Sequence, residues 1–569
     1  MSRKRRMRLS ALPHSLLLAS ACSTPNAATA PGAAHPVTLS IVSTNDVHGQ
    51  LERLPFVAGF VHNLRQARAR DGGVLLVDAG DAFQGTIESN LNEGAAIMSA
   101  YGRMGYAAFT LGNHEFDFGP SGPASIPRSP SEDAQGALKA RIAEAGFPVV
   151  CANLVGDDGR PLPWKHLTAT TEVVVSGVHV GIIGLLTVDA PDVIKRPDFA
   201  GVHVTPLAAA AEREATALRA RGATVVLVVT HAGGECTRLG DPRDLSSCDP
   251  DSEIFRLARA LPPGLVDAIF GGHRNAEVAN VVAGIPIVHT TSMAAAFSRI
   301  DLIVDGGTRK VLRAKVAMPH PVCTVPLERG CQPGDYEGAP VVPDAATLAA
   351  IRPALETAHT LKNEPLGVRV EATFPVEKTR EMALGNLFAD LMREAEPGSD
   401  AALGNAGSVR DVLPAGALTF GQLHHVMPFD NQLARLHLTG KEFRALITAN
   451  LSEGEHGLLS ISGVTVDAVC QGNTLEVTLK HPDGAAIRDD ESLTVATNDY
   501  LALGGDGLLA AAHIPNDRAE LDSQKNVLGS IIEGLKKRGT VRPDDPALVD
   551  PKRPRIRVPG GRPVRCGGT

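Results

Sequence analysis

From Val37 onward, short apolar runs alternate with amphipathic stretches. The runs are VTLSIV from Val37, VLLVD from Val74, AAFTL from Ala107, VVVSGVHVGIIGL from Val173, VVLVVT from Val225 and VDAIF from Val266. Continuous rather than alternating hydrophobicity marks strands covered on both faces. The pattern therefore predicts an α/β body over 37–334 with a largely buried sheet. Residues 335–365 are proline-punctuated at their ends and contain the helical stretch DAATLAAIRPALETAHTLKN, which reads as a connection and hinge neighbourhood. A second, smaller α/β region is expected over 366–548, with a helix at LGNLFADLMREA from Leu384 and strands at ARLHLT from Ala434 and TLEVTLK from Thr474. Residues 549–569 are basic and rich in Pro and Gly, and read as a solvated tail pinned by Cys566.

The length of 569 residues agrees with two domains. Composition is 43% hydrophobic and 21% charged, that of an ordinary folded protein, and no apolar run approaches the roughly 20 residues of a membrane-spanning helix. The first ten residues, MSRKRRMRLS, carry five positive charges and no acid, and a short apolar stretch follows, so 1–22 reads as an export signal. Ala19-Ser20-Ala21-Cys22 resembles a bacterial lipoprotein cleavage site, although Leu is more usual where Ala19 stands. Lipidation at Cys22 is expected, with ordinary signal cleavage nearby as the rival, and 23–36 as a flexible tether. The mature protein would then be periplasmic or on the cell surface, touching a membrane through that anchor. Removing the five charges takes the formal charge from −8 to about −13, which opposes a nucleic-acid polymer as partner. Export permits disulfides among the eight cysteines. Cys236 with Cys248 and Cys323 with Cys331 could each close a short ring, and Cys470 with Cys566 could form a third bridge, leaving Cys151 in an apolar run as a buried thiol. Spacing alone leaves the pairing open.

Five apolar runs end in residues of metal-ligand type. The run at 37–42 leads into Asp46 and His48, that at 74–78 into Asp81, and that at 107–111 into Asn113, His114 and Asp117. The run at 225–230 leads into His231, and that at 266–270 into His273 and Asn275. Carboxyl ends of strands converge on one edge of an open α/β sheet, so residues more than 200 positions apart can meet there. Carboxylate and amide oxygens with imidazole nitrogens suit manganese, zinc or cobalt, and a shared carboxylate can hold two divalent ions about 3.5–4 Å apart. Such a pair acidifies water for attack on phosphorus. His114 and Asp117 stand three apart and can face one another if Glu115 opens a helical turn. His289, His424 and His425 read as core or packing histidines.

The blocks STNDVHGQLE at 43, GDAFQG at 80, LGNHEFDFG at 111, THAGGE at 230 and GGHRN at 271 resemble the calcineurin-like metallophosphoesterases, specifically the 5'-nucleotidase family. LGNLFAD at 384, GNAGSVRD at 404, VMPFDNQL at 426 and NDYLALGGDG at 498 resemble the substrate domain of the same family, so the similarity runs from 37 to about 540. The resemblance implies a four-layer αββα metal domain followed by a smaller α/β substrate domain. It implies one ion among Asp46, His48, Asp81 and Asn275, and a second among Asp81, Asn113, His231 and His273. His114 with Asp117 would be the catalytic dyad. Asn405 and Arg410 match positions that hold the nucleoside, Phe429 and Tyr500 the aromatics that sandwich the base, and Asp506 the ribose ligand. Lys378 stands where the family often has Arg, Met382 and Ala383 stand where it often has Ser-Asn, and Arg380 is nearby. Lys lacks the bidentate grip of a guanidinium, which bears on the distal phosphates. The implied activity is phosphate release from nucleoside 5'-phosphates, extending to di- and triphosphates and UDP-sugars, with the substrate domain swinging toward the metals. Rivals are 2',3'-cyclic nucleotides or thiosulfonates as substrate, and a non-catalytic surface protein.

Overall fold

The computed structural model describes residues 35–566 apart from 123, 124, 130 and 455. The signal and Cys22 readings lie outside the described residues.

Two sheets face each other in the first half. One runs, in spatial order, through Val311–Val316, Ala296–Val304, Val37–Thr44, Gly72–Asp78, Ala108–Thr110, Val149–Val150 and Leu167–Thr168. The other runs through Val278–Val282, Ile285–His289, Ala268–Phe270, Val225–His231, Val178–Leu186 and Thr170–Val175. The core strands of each sheet are parallel; Val278–Val282 and Thr170–Val175 in one, and Ala296–Val304 and Val311–Val316 in the other, run antiparallel to their neighbours. Alternate residues of a strand face opposite ways, and the packing follows. Val225, Leu227 and Val229 meet Leu39, Ile41 and Val77 between the sheets, whereas Val226 and Val228 turn outward beneath helices Leu207–Ala220 and Glu253–Ala260. Helices Leu54–Arg68 and Ala95–Met104 cover the outer face of the first sheet. The result is the four-layer αββα arrangement.

The run from Val173 is two strands rather than one. It breaks at Ser176-Gly177, both with positive φ (49° and 74°), the conformation that a tight antiparallel hairpin requires. Helix Ala345–Lys362 starts where the Asp344 carboxylate accepts the Thr347 amide (2.7 Å), and it packs on helices Ala95–Met104 and Leu54–Arg68 of the first half.

In the second half a five-stranded sheet has the order Ser460–Ser462, Ala401–Gly404, Ser492–Asn498, Gln432–Thr439 and Ala519–Asn526. Helices Ala383–Ala395 and Val527–Arg538 lie in one core and Gly440–Ser452 in another. The basic tail is built in rather than solvated. Ile556–Arg557 pairs with strand Thr465–Gln471, and Arg555 grips the Asp390 carboxylate with two nitrogens at 2.8 and 2.9 Å. Disulfides join Cys236–Cys248, Cys323–Cys331 and Cys470–Cys566, and Cys151 is a buried free thiol. Among the described residues no helix is long and apolar enough to cross a membrane.

Candidate active site

Each parallel strand releases its polar residues at the same edge. Asp46 and His48 follow Val37–Thr44, Asp81 follows Gly72–Asp78, and Asn113 follows Ala108–Thr110. His231 closes Val225–His231, and His273 follows Ala268–Phe270. Asp46, His48, Asp81 and His273 all have positive φ, between 48° and 76°. The turns are laced to one another: the Asp46 amide donates to the Gly80 carbonyl and the His48 amide to that of Asp81, both at 2.9 Å.

Two donor groups result. The ligand atoms of Asp81, His231 and His273 lie within 4.8 Å of one another, as do those of Asp46, His48 and Asp81, so Asp81 belongs to both. His231 Nδ1 donates to the Ala79 carbonyl at 2.8 Å, which turns the lone pair of Nε2 into the cluster. There Nε2 meets Asp81 Oδ2 at 3.1 Å, Asn113 Oδ1 at 3.2 Å and His273 Nδ1 at 3.2 Å. Acceptors pointing at acceptors repel unless a cation or a proton lies between them, and this donor set fits a divalent metal. The electrostatics agree. Burial disfavours charge on the His231 ring, yet the Asp81 carboxylate beside it holds its pKa far above the usual value. Burial likewise pushes the Asp81 carboxyl up, and the charges of His231 and His114 overcome it and hold it well below the carboxylate range. Burial lowers His48 and His273 to about 3, leaving both rings neutral and able to bind metal. His48 Nδ1 donates to the Gln84 carbonyl at 2.9 Å, which frees Nε2 for the site.

His114 Nδ1 lies 2.6 Å from Asp117 Oδ2, across the short 3-10 turn His114–Phe116. Burial opposes charge on this imidazole, but Asp117 and then Asp81 outweigh it and raise its pKa. On its other side, Arg410 Nη2 reaches to 3.2 Å of His114 Nε2, and the Arg410 guanidinium lies 5.0 Å above the Phe429 ring.

Apart from the fully buried His231, these residues line one cleft of about 470 Å³ between the two halves. Its far wall includes Lys378, Asn405, Phe429, Tyr500 and Asp506. Tyr500 donates its hydroxyl to Asp506 at 2.7 Å, which satisfies the group that Phe would lack. Asn405 is buried and its Oδ1 accepts Asn498 Nδ2 at 3.0 Å. Burial, then the neighbouring Arg410 charge, lowers the Lys378 pKa. Asn275 lines the same cleft at an exposed position, its Oδ1 accepting from the Ser292 amide and hydroxyl at 3.3 and 3.2 Å. Arg380 is exposed and outside the residues lining the cleft, whereas Lys378 lines it.

The sequence reading missed the groups that hold the ligands. Glu115 is buried and accepts the amides of Asp81, Ala82, Phe83 and Gly112 at 2.6 to 3.2 Å. Asn45 donates to Asp46 at 2.7 Å. Gln84 carries its carbonyl to His48 and its amide nitrogen to the Pro428 carbonyl (2.6 Å), so one residue touches both halves. A Gln after a Gly-Asp turn carries no signal of that kind.

The calcineurin-like phosphoesterase family model matches residues 39–274, and the 5'-nucleotidase C-terminal domain model matches 358–513. The endonuclease YhcR of Bacillus subtilis is 27% identical over 82% of this chain and 37% of its own length. A 5'-nucleotidase of Diplobatis ommata is 25% identical over 90% of this chain and 89% of that protein. The chain spans only about a third of the length of the two Bacillus subtilis relatives it matches. The crystal structure of a 5'-nucleotidase precursor from Thermus thermophilus aligns with a TM-score of 0.68 at 26% identity, covering 89% of this chain and 97% of that one. Calcineurin-like phosphoesterases use two divalent metals, and two donor groups sharing Asp81 match that number. With one domain of each kind in this order, the chain belongs to the 5'-nucleotidase family of calcineurin-like metallophosphoesterases.

Proposed function

We propose that this protein releases phosphate from nucleoside 5'-phosphates, including di- and triphosphates and UDP-sugars, after export from the cell. The observation that carries the reading is the meeting of Arg410 with His114 at 3.2 Å and with the Phe429 ring at 5.0 Å, which joins the metal side of the cleft to its aromatic side. Residues 37–334 would hold the metals and 366–548 the nucleoside, with 335–365 as the hinge neighbourhood.

Asp46, His48, Asp81 and Asn275 would hold one divalent ion and Asp81, Asn113, His231 and His273 the other, with manganese, zinc or cobalt suiting the donors. When bound, two such ions supply an acidified water and neutralise phosphoryl oxygens. For Asn275 this requires release from Ser292. His114 Nε2 and Arg410 Nη2 converge on one point, so a phosphoryl oxygen placed between them accepts from both. Asp117 keeps the His114 ring oriented and favours its protonated form. Phe429 and Tyr500 in one cleft favour a flat base over a small thiosulfonate, and Tyr500 orients Asp506 for ribose hydroxyls.

The test is phosphate release from AMP, ADP, ATP, UDP-glucose, a 2',3'-cyclic nucleotide and bis-p-nitrophenyl phosphate, with manganese and after chelation, beside His114→Ala. Chelator-sensitive release that prefers 5'-nucleotides and collapses in the variant supports the proposal. Turnover confined to diesters moves the substrate to cyclic nucleotides. Inactivity with every metal leaves a binding protein.

A further inference from the structure

The last described residues reach back to the nucleoside side of the cleft. Arg562, with only 5% of its side chain exposed, donates Nε to the Asn450 carbonyl at 2.6 Å. Its other nitrogens bond the His456 carbonyl and the Glu453 carboxylate. The Val564 amide donates to Leu451 O at 2.9 Å, and Arg565 bonds the Ser452 carbonyl. The segment therefore caps the end of helix Gly440–Ser452, whose last carbonyls have no helical partner. Cys566 ties it covalently to Cys470 on strand Thr465–Gln471.

What this clamp holds is the stretch His456–Leu459. The Leu458 amide donates to the Lys378 carbonyl at 2.7 Å. At Gly457 a Cβ would lie 2.3 Å from Ala406 Cβ and 2.9 Å from Lys378 O, so the glycine backbone packs directly on the Ala406 methyl and the Lys378 carbonyl with no room for a side chain. His456 Nε2 stands 3.9 Å from Asp506 Oδ1. The stretch thus touches Lys378, the neighbour of Asn405, and Asp506 at once, and its far side rests on Arg562.

We propose that the disulfide-pinned segment Arg562–Cys566 is a positioning element for nucleoside binding, and that His456, which it holds beside Asp506, contacts the ribose of a bound nucleotide. The inference rests on the nucleotide reading above. Arg562 and Cys566 act through the His456–Leu459 stretch and touch no substrate.

The experiment compares wild type, Arg562→Ala, Cys566→Ser and His456→Ala in the full chain. Adenosine binding is measured by calorimetry, and steady-state kinetics with AMP and with bis-p-nitrophenyl phosphate. We expect adenosine Kd and AMP KM to rise about tenfold in all three variants. Diester kcat should stay within about twofold of wild type in Arg562→Ala and Cys566→Ser. Unchanged adenosine Kd in the variants overturns the inference, as does equal loss of AMP and diester turnover in the two tail variants. If those two fail to fold, His456→Ala decides, because its side chain is part exposed and outside both cores. Wild type that cleaves the diester but binds no adenosine overturns the nucleotide reading, and this inference with it.

Discussion

Replacing Glu115 with Gln exchanges one side-chain oxygen for an NH₂ at almost constant volume, yet it should disturb the metal side of the cleft more than most surface changes could. Oε1 accepts Ala82 N at 2.7 Å and Phe83 N at 3.2 Å, and Oε2 accepts Gly112 N at 2.6 Å and Asp81 N at 2.9 Å. An amide offers one acceptor oxygen and an NH₂ that can only donate. Whichever way it turns, two buried N–H groups face the NH₂. At about 1–3 kcal/mol for each unpaired buried donor, the loss is about 2–6 kcal/mol, a large share of the roughly 5–15 kcal/mol typical of a domain. The assay is urea unfolding followed by the fluorescence of the sole tryptophan, Trp164, which packs against the core of this half. Metal retention should fall in parallel, since Asp81 is one of the residues whose amide is released. A loss below about 1 kcal/mol with unaltered metal retention refutes the argument that these four bonds set the turn.

Further outcomes are expected. Chelation should lower the unfolding midpoint, and manganese at a hundred times its Kd should restore about 2.7 kcal/mol; Asp81→Asn should abolish that response, and a response of normal size in the variant would sink the assignment of Asp81. Gly504→Ala should cost about 1 kcal/mol or more and raise the AMP KM, because φ is +100° and the new Cβ lies 2.8 to 2.9 Å from the Arg196 guanidinium. Adding Arg196→Ala should recover the contact but not the backbone strain, so complete recovery by the double variant contradicts the φ argument. Gln84→Ala should remove the 2.6 Å bond to the Pro428 carbonyl, worth about 0.5–1.5 kcal/mol, and raise the AMP KM up to about tenfold with diester turnover unchanged in KM; equal KM for AMP in the variant and wild type would show that this bond does not help align the halves.

The sheet core was legible because a strand buried on both faces is apolar along most of its length, and Val225–His231 carries that pattern plainly, whereas Val37–Thr44 sets buried Ser40 and Ser43 among its apolar residues. The same rule concealed the hairpin at Ser176-Gly177, since two neighbouring apolar strands joined by a two-residue turn read as one run. The donor residues were legible as strand, turn and ligand repeated. Glu115 was not, because a carboxylate serving backbone amides has the same sequence signature as a solvated one. Composition also misled at the tail. Charge density says nothing of partners, and Arg555 finds Asp390 across 165 positions. Between Lys378 and Arg380, residue type favoured the guanidinium, but the local turn sends Lys378 into the cleft and leaves Arg380 exposed.

The placement of the donors explains why so much of the surrounding structure is devoted to holding turns. Asp46, His48, Asp81 and His273 adopt φ of 49°, 48°, 57° and 76°, a region that costs L-residues of order 1–3 kcal/mol each, with Asp and His among the more tolerant. Glycine would relieve that strain and forfeit the ligand atom. The chain keeps the donors and restrains the backbone from three sides. Gly80 and Asp81 carbonyls take the Asp46 and His48 amides, Glu115 takes that of Asp81, and Asp46 Oδ2 itself takes the His273 amide at 3.0 Å. Each donor is therefore also a partner in fixing the next. A sheet edge buried on both faces cannot yield to release the strain, so the donors are held convergent, and the repulsion among them becomes affinity for a cation.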